Sequence, residues 1–244
     1  MQQASDFREE SLTLKSLIAD LDDSAFEQTT QFKSWTINDV FRHLHFWNKA
    51  VMVATEGDEA FAVFFEDVGA HMMKGGSLPE NEKAYLDCLR GGALREAWAS
   101  LVDETADAYA ALDPSSRVPW AGPSMSARSA ISARQMETWA HGQEVFDVLG
   151  ADREEHDRIR NIVVLGINTF GWTFKVRGET PPDPMPFVSL VSPSGEVWTY
   201  GESQQSNFIQ GDAVEFARVV TQTRNIGDTS LHVVGDPALS LIHI

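Results

Sequence analysis

The stretch RQMETWAHGQEVFDVLG, Arg134 to Gly150, reads as most of a helix that starts near Ser126 and ends at Leu149. Gly150 stands at the C′ position, where a left-handed residue stops a helix. Within it Glu137 and His141 are four residues apart, so both side chains lie on one face, one turn apart. A carboxylate offers a hard oxygen and an imidazole a nitrogen, a pairing that suits a divalent metal such as zinc.

Spacing alone does not decide between a metal site and an ordinary polar helix face. From 36 acids and 7 histidines in 244 residues about one such pair is expected by chance. Five occur: Asp39/His43, Asp67/His71, Glu137/His141, Asp152/His156 and Asp228/His232. Context separates them. Asp152/His156 falls in the charged run ADREEHDR, read as the solvated start of a helix. His232 alternates with apolar residues in a strand-like segment and reads as structural or exposed. His71 precedes Met72 and Met73 and reads as packed. His43 and the Glu137/His141 pair sit mid-helix among apolar and aromatic residues, where buried polar groups need partners. One shared metal would satisfy all three. A core histidine bonded to a carbonyl is the plainer alternative for any one of them. His45 lies about 200° around the helix from His43, so the two cannot face one site, and pattern alone barely chooses between them.

Working outward, the first two-thirds of the chain reads as helices. One covers Phe7 to Leu21. A second begins at WTINDV, with Thr36 as cap and Asp39 three residues later, and runs to about Thr55. A third covers residues 58–74 and stops at Gly75-Gly76. A fourth covers 93–112 and closes at Asp113-Pro114. A proline-rich connector precedes the quoted helix, and another amphipathic helix is expected from about Asp152 to Lys175. MKGGS and GGALRE read as turns, and Cys88 reads as a core residue. The pattern then changes. VRGETPPDPMP is a linker, FVSLVSPSGEVWTYGE is a hairpin, DAVEFARVVTQTR a helix and SLHVVGD a strand. The expected fold is mainly α: a helical domain over 1–178 and a small α+β domain over 179–238. The last residues, LSLIHI, match the translation of a transposon-based sequencing adapter. They are read as a foreign tail over 239–244 that cuts short the second domain, and His243 is left out of functional argument.

Composition bounds the function. Hydrophobic residues make up 43%, enough for a core, and the net charge is −17. An acidic surface repels phosphate backbones, so nucleic acid is not an expected partner. An anionic substrate would need a local arginine or a metal. A single cysteine forbids an intrachain disulfide and fits a reducing compartment. No signal peptide is visible and no apolar run approaches the roughly 20 residues that span a bilayer; a cytoplasmic protein, monomer or homodimer, is expected. There is no Walker loop, H-E-x-x-H, C-x-x-C or G-x-S-x-G.

WTINDVFRHLHFW resembles the W-[ST]-hydrophobic-x-D-x-hydrophobic-x-H-L helix of the DinB-like metalloenzyme superfamily, and most closely its mycothiol-dependent maleylpyruvate isomerase branch. METWAHGQEVFDVLG resembles the second metal motif of that branch. GEVWTYGE with VTQTRNIGDTSLHVVGD resembles a companion domain sometimes labelled after wyosine base formation. The resemblance implies an up-down-down-up four-helix bundle with a metal, usually zinc, held by His43, Glu137 and His141, and so chooses His43 over His45. Three protein ligands leave positions open for water or substrate, as catalytic zinc requires. It further implies mycothiol as thiol cosubstrate. The thiolate would add to an activated double bond, rotation would follow, and elimination would give the trans isomer. Arg224 falls in the region where the isomerases place a functional arginine, and serves either a substrate anion or merely a helix end. The C-terminal half diverges from true isomerases, so maleylpyruvate is not carried over. The expected partners are a small electrophile and a low-molecular-weight thiol, for an isomerase or S-transferase. The alternatives are a non-catalytic metal- or ligand-binding module and, more remotely, an iron oxygenase with a two-histidine, one-carboxylate site.

Overall fold

The computed structural model describes residues 1–73 and 75–236, and of Asp67, His71 and Met72 the backbone alone. The adapter-like tail, His243 and the side chains of the Asp67/His71 pair therefore lie outside the described residues. The chain divides into two compact units, Met1–Asp152 and Arg153–Ile244.

The first unit is helical: α1 (Gln2–Leu17), α2 (Ile37–Ala54), α3 (Asp58–Met72), α4 (Leu78–Tyr85), α5 (Gly91–Ala111) and α6 (Ala127–Leu149). The short strands β1 (Arg117–Val118) and β2 (Met125–Ser126) pair antiparallel just before α6. The four long helices form the bundle: α1 and α2 each pack against both α5 and α6. Phe7, Leu14, Phe41, Leu44, Leu94, Trp98 and Ile131 fill the space between them, all essentially inaccessible to water. Burying side chains of this size contributes about 1.5–3 kcal/mol each. Trp98 meets the Phe41 ring edge-on at 4.9 Å, and Tyr109 donates its hydroxyl to Val51 O at 3.0 Å.

Local signals place α2 and α6. The Thr36 hydroxyl accepts from Asp39 N, and the Asp39 carboxylate accepts from Thr36 N, a reciprocal box at the start of α2. Gly150 ends α6 at φ +62, with Gly150 N donating to Asp147 O and Ala151 N to Phe146 O. α3 and α4 pack on the outside of α2.

α4 lies in a stretch, residues 78–85, to which the sequence reading assigns no element. Ser77 and Glu80 form its own capping box and Pro79 sits in its first turn. GGALRE, read as a turn, opens α5 instead. Cys88 is exposed, not a core residue. It sits at φ +58 in the turn that ends α4, where Cys88 N donates to Lys83 O and the side chain is turned to solvent.

The second unit contains α7 (Arg160–Val176), β3 (Phe187–Val191), β4 (Val197–Tyr200), β5 (Phe208–Asp212), α8 (Ala213–Val220) and β6 (His232–Val234). Its sheet has the order β4-β3-β5-β6. β3 and β4 are the expected hairpin, β3 and β5 run parallel, and β5 and β6 antiparallel. α8 packs against β3 and β5 and is capped by the Asp212 carboxylate, which accepts from Val214 N and Glu215 N. The helix expected from Asp152 begins only at Arg160, after a 3₁₀ turn over Asp157–Ile159. His156 is extended, so Asp152/His156 is no helix-face pair. The charges of this run are used within the unit instead: Arg218 pairs with Glu155 at 3.4 Å, and Ser194 N donates to the Asp157 carboxylate. The sequence reading carried the helical domain to residue 178, whereas α7 groups with the second unit. Its contact with α8 is close enough that a Cβ on Gly166 would lie 3.1 Å from Val220. Among the described residues no helix is long and apolar enough to cross a membrane.

Candidate metal centre

His43 on α2 and Glu137 and His141 on α6 converge inside the bundle. One ligand atom from each lies within 4.8 Å of the others. His141 Nε2 is 3.3 Å from Glu137 Oε2, so the i,i+4 pair on α6 is in contact. His43 Nε2 reaches the same oxygen at 3.6 Å. The Asp39/His43 pair is a coincidence of spacing. Asp39 is engaged in the helix cap and with Arg42 at 3.0 Å, while His43 finds its acids on α4 and α6.

The acid on α4 is Glu82, which the sequence reading missed. Its Oε1 lies 2.8 Å from His43 Nδ1 and accepts from Trp47 Nε1 at 3.1 Å. The side chain is 1% exposed. α4 is held against α2 from both ends of this contact, since Arg42 Nε donates to Leu89 O, just past α4, at 2.8 Å. A carboxylate on Nδ1 fixes the tautomer that leaves the Nε2 lone pair of His43 pointing at Glu137. In that tautomer two lone-pair-bearing atoms face each other at 3.6 Å, and a cation between them or a proton on Nε2 relieves the repulsion.

The electrostatics favour positive charge at this point. Burial works against charge on His43, but its bonds to Glu137 and Glu82 outweigh that and raise its pKa. Burial also opposes a charged Glu137. The bonds to His141 and His43, with the charge of Arg134, overcome this and hold its carboxyl below the usual range. His141 is lowered, first by burial and then by the charge of His43, against the pull of Glu137. Arg134, one turn before Glu137, is a fully enclosed cation. Burial brings its guanidinium down to about 10, against the pull of Glu137 and Glu82, so it stays charged at neutral pH. It donates to Asn48 Oδ1 at 3.0 Å and to Leu44 O. With His43 neutral, two carboxylates and one guanidinium leave one net negative charge, which a proton on His43 or a bound cation balances.

Aromatic rings wall the cluster. Trp35 stacks on His141, with centroids 5.7 Å apart and planes 10° from parallel. Phe32 meets both His141 and Trp35 edge-on at 5.1 Å, so the three rings form one cluster. The Glu137 side chain keeps 32% of its exposure, so the cluster is open on one side. His45 is buried away from the cluster; burial, then the charge of Lys49, lowers its pKa to about 4. Arg224 lies in the second unit, after α8, with its guanidinium donating to Thr223 O at 2.7 Å. His232 is exposed on β6, edge-on to Phe208.

The donor set fits a divalent metal: two imidazole nitrogens and a carboxylate oxygen, one histidine braced by a second carboxylate, a charge balance short of cation, and an open face. A DinB-like helical bundle with an inner His/Glu/His cluster is the class that fold and site define. The chain belongs to the family described as the mycothiol maleylpyruvate isomerase N-terminal domain, whose pattern it matches over residues 7–146. It is 31% identical, over 96% of its length and 90% of theirs, to uncharacterized proteins from two strains of Mycobacterium tuberculosis. Among solved structures it is similar in fold to the mycothiol-dependent maleylpyruvate isomerase and to a histidine-to-alanine mutant of it. The TM-scores are 0.57 and 0.56, at 16% identity over 89% of this chain and 87% of those.

Proposed function

We propose that the chain is a metal-dependent enzyme that uses a low-molecular-weight thiol, mycothiol in the first place, on a small electrophile, as an isomerase or an S-transferase. The observation that carries this reading is the cluster itself: three donor atoms within 4.8 Å of one another, in the part of the chain that matches the family. The family's own description names mycothiol and an isomerase.

His43, Glu137 and His141 would hold the ion, zinc foremost, and leave positions open toward the exposed side of Glu137. A bound zinc would supply the positive charge that favours the thiolate form of a thiol, the nucleophilic form. Glu82 keeps His43 in the tautomer that presents Nε2. Trp35 and Phe32 fix the plane of His141 and shield it from water on the side where they pack together. Arg134 balances the carboxylates without occupying the open face, since its hydrogen bonds go to Asn48 and Leu44. Arg224 is the proposed partner of a substrate anion.

Elemental analysis of purified protein tests the reading. One equivalent of zinc is expected, lost in His43→Ala, Glu137→Ala and His141→Ala. A metal-free wild type, with thiol consumption unaffected by His141→Ala, would refute it.

A further inference from the structure

A cleft of about 510 Å³ opens between the start of α2 and the turn that joins α4 to α5. None of His43, Glu137 and His141 faces it. Three cations do, Arg42, Lys83 and Arg90, against two acids, Glu27 and Asp39, and Cys88 stands in the same wall. Three positive charges less two negative leave the cleft positive, on a chain whose net charge is −17. A local reversal of sign on an acidic surface favours an anion there and nowhere around it.

Arg42 is the built part of the cleft. It is 4% exposed, and its Nε donates to Leu89 O at 2.8 Å and its Nη1 to Asp39 Oδ1 at 3.0 Å. These two bonds fix the guanidinium in place. Its Nη2 makes no hydrogen bond among the described residues, so an oxygen from a ligand would complete the bonding of a nearly buried cation. Lys83 and Arg90 are exposed and make no side-chain hydrogen bond or ion pair among the described residues. Glu80, which feels the charge of Lys83, is held by Ser77. The two acids of the wall are engaged as well: Asp39 in the helix cap and with Arg42, and Glu27 Oε1 with Asn38 Nδ2 at 3.0 Å. At the start of α5, Gly91 N and Gly92 N donate to Asn38 and Asp23. What the cleft offers an anion is therefore side-chain charge.

We propose that this cleft binds a phosphate group, free or esterified to a small molecule, through Arg42 Nη2, Lys83 Nζ and the Arg90 guanidinium. A phosphate monoester carries about two negative charges and three acceptor oxygens, one for each donor group, whereas a single carboxylate brings one charge and two oxygens. The volume leaves room for the esterified part, since small-molecule sites run from about 300 to 1,000 Å³. Arg42 precedes His43 on α2 and Lys83 follows Glu82 on α4, so the bound anion ties together the two helices whose packing brings Glu82 to His43. The proposal goes beyond the metal reading and does not depend on it.

The test is calorimetric titration of the full chain, treated with chelator so that no metal competes for the anion. Inorganic phosphate, glycerol 3-phosphate and malonate are compared at constant ionic strength. Both phosphates are expected to bind, about fivefold or more tighter than malonate. Tighter binding of glycerol 3-phosphate identifies an ester as the ligand, and equal affinity identifies free phosphate. Lys83→Ala and Arg90→Ala should each weaken phosphate binding about fivefold, with an unchanged melting temperature in phosphate-free buffer. Cys88, the single cysteine of the sequence, reports the place. Saturating glycerol 3-phosphate should slow its alkylation by iodoacetamide severalfold against chloride of the same ionic strength, but not in the Lys83→Ala/Arg90→Ala double variant. Wild type that binds neither phosphate, or binds malonate as tightly, would overturn the proposal. So would charge variants that bind phosphate like wild type, or a Cys88 that phosphate leaves unprotected. Phosphate binding by a protein that takes up no zinc would count against the metal reading alone, and zinc uptake without phosphate binding against the cleft alone.

Discussion

Replacing Glu82 by glutamine should weaken zinc binding without unfolding the protein. The Oε1 atom is 2.8 Å from His43 Nδ1 in a side chain 1% exposed, so the contact is a short, charge-assisted hydrogen bond shielded from water. Glutamine keeps an acceptor for His43 and for Trp47 Nε1 but removes the charge that makes Nε2 a stronger donor to a metal. Loss of such a supporting carboxylate costs about 10–100-fold in metal affinity, or about 1.4–2.7 kcal/mol. The assay is competition for zinc against a chromophoric chelator, with wild type, Glu82→Gln, His43→Ala and the double variant. If Glu82 acts through His43, its replacement has no further effect once His43 is gone, and the cycle gives a coupling energy close to the whole single-variant effect. A loss of less than twofold in Glu82→Gln, or the same loss with and without His43, would refute the reasoning.

Other positions give sharper or simpler expectations. His45→Ala should leave zinc content at the wild-type level while His43→Ala loses it, as measured by elemental analysis of the two proteins in parallel. Thr36→Ala removes one half of the capping box at the start of α2 and should lower stability by about 1 kcal/mol in urea denaturation. Gly150→Ala meets no atom within 4 Å but must adopt φ +62, so it should cost about 1–2 kcal/mol from backbone strain alone, read from the same urea midpoints.

The parts of this fold that were legible in the sequence are those set by neighbours along the chain. Thr36 with Asp39, Gly150 after Leu149, and the Pro-Ser-Gly turn between β3 and β4 are local devices, and each stands where the residues indicated. α4 escaped because it has only eight residues, flanked by glycines, although Ser77 and Glu80 carry the same capping signal as Thr36 and Asp39. Arg153 to His156 reads as helix on charge and periodicity, yet Glu155 pairs with Arg218 of α8 and Asp157 with the β3–β4 turn, and the backbone becomes helical only from the 3₁₀ turn at Asp157.

The candidate site was legible in a different sense. Glu137 and His141 share a helix face, so their contact follows from spacing once the helix is granted. His43 comes from another element. Helical geometry excluded only that His43 and His45 act together, and the choice between them rested on the family resemblance. Glu82 left no trace. In SLPENEKAY it is one acid among polar neighbours, and only the packing of α4 on α2 buries it. Trp35 and Phe32 were likewise visible as aromatics but not as walls of the cluster, because the loop that carries them folds back on α6 through tertiary contact alone.

The central claim is that His43, Glu137 and His141 hold a metal that takes a thiol. The most direct test is to load the protein with cobalt(II) in place of zinc and titrate it with mycothiol while recording the near-ultraviolet spectrum. The account predicts a sulfur-to-cobalt charge-transfer band that grows to one equivalent of thiol and is absent in His141→Ala. A protein that binds cobalt at these residues but shows no such band at any thiol concentration would contradict it.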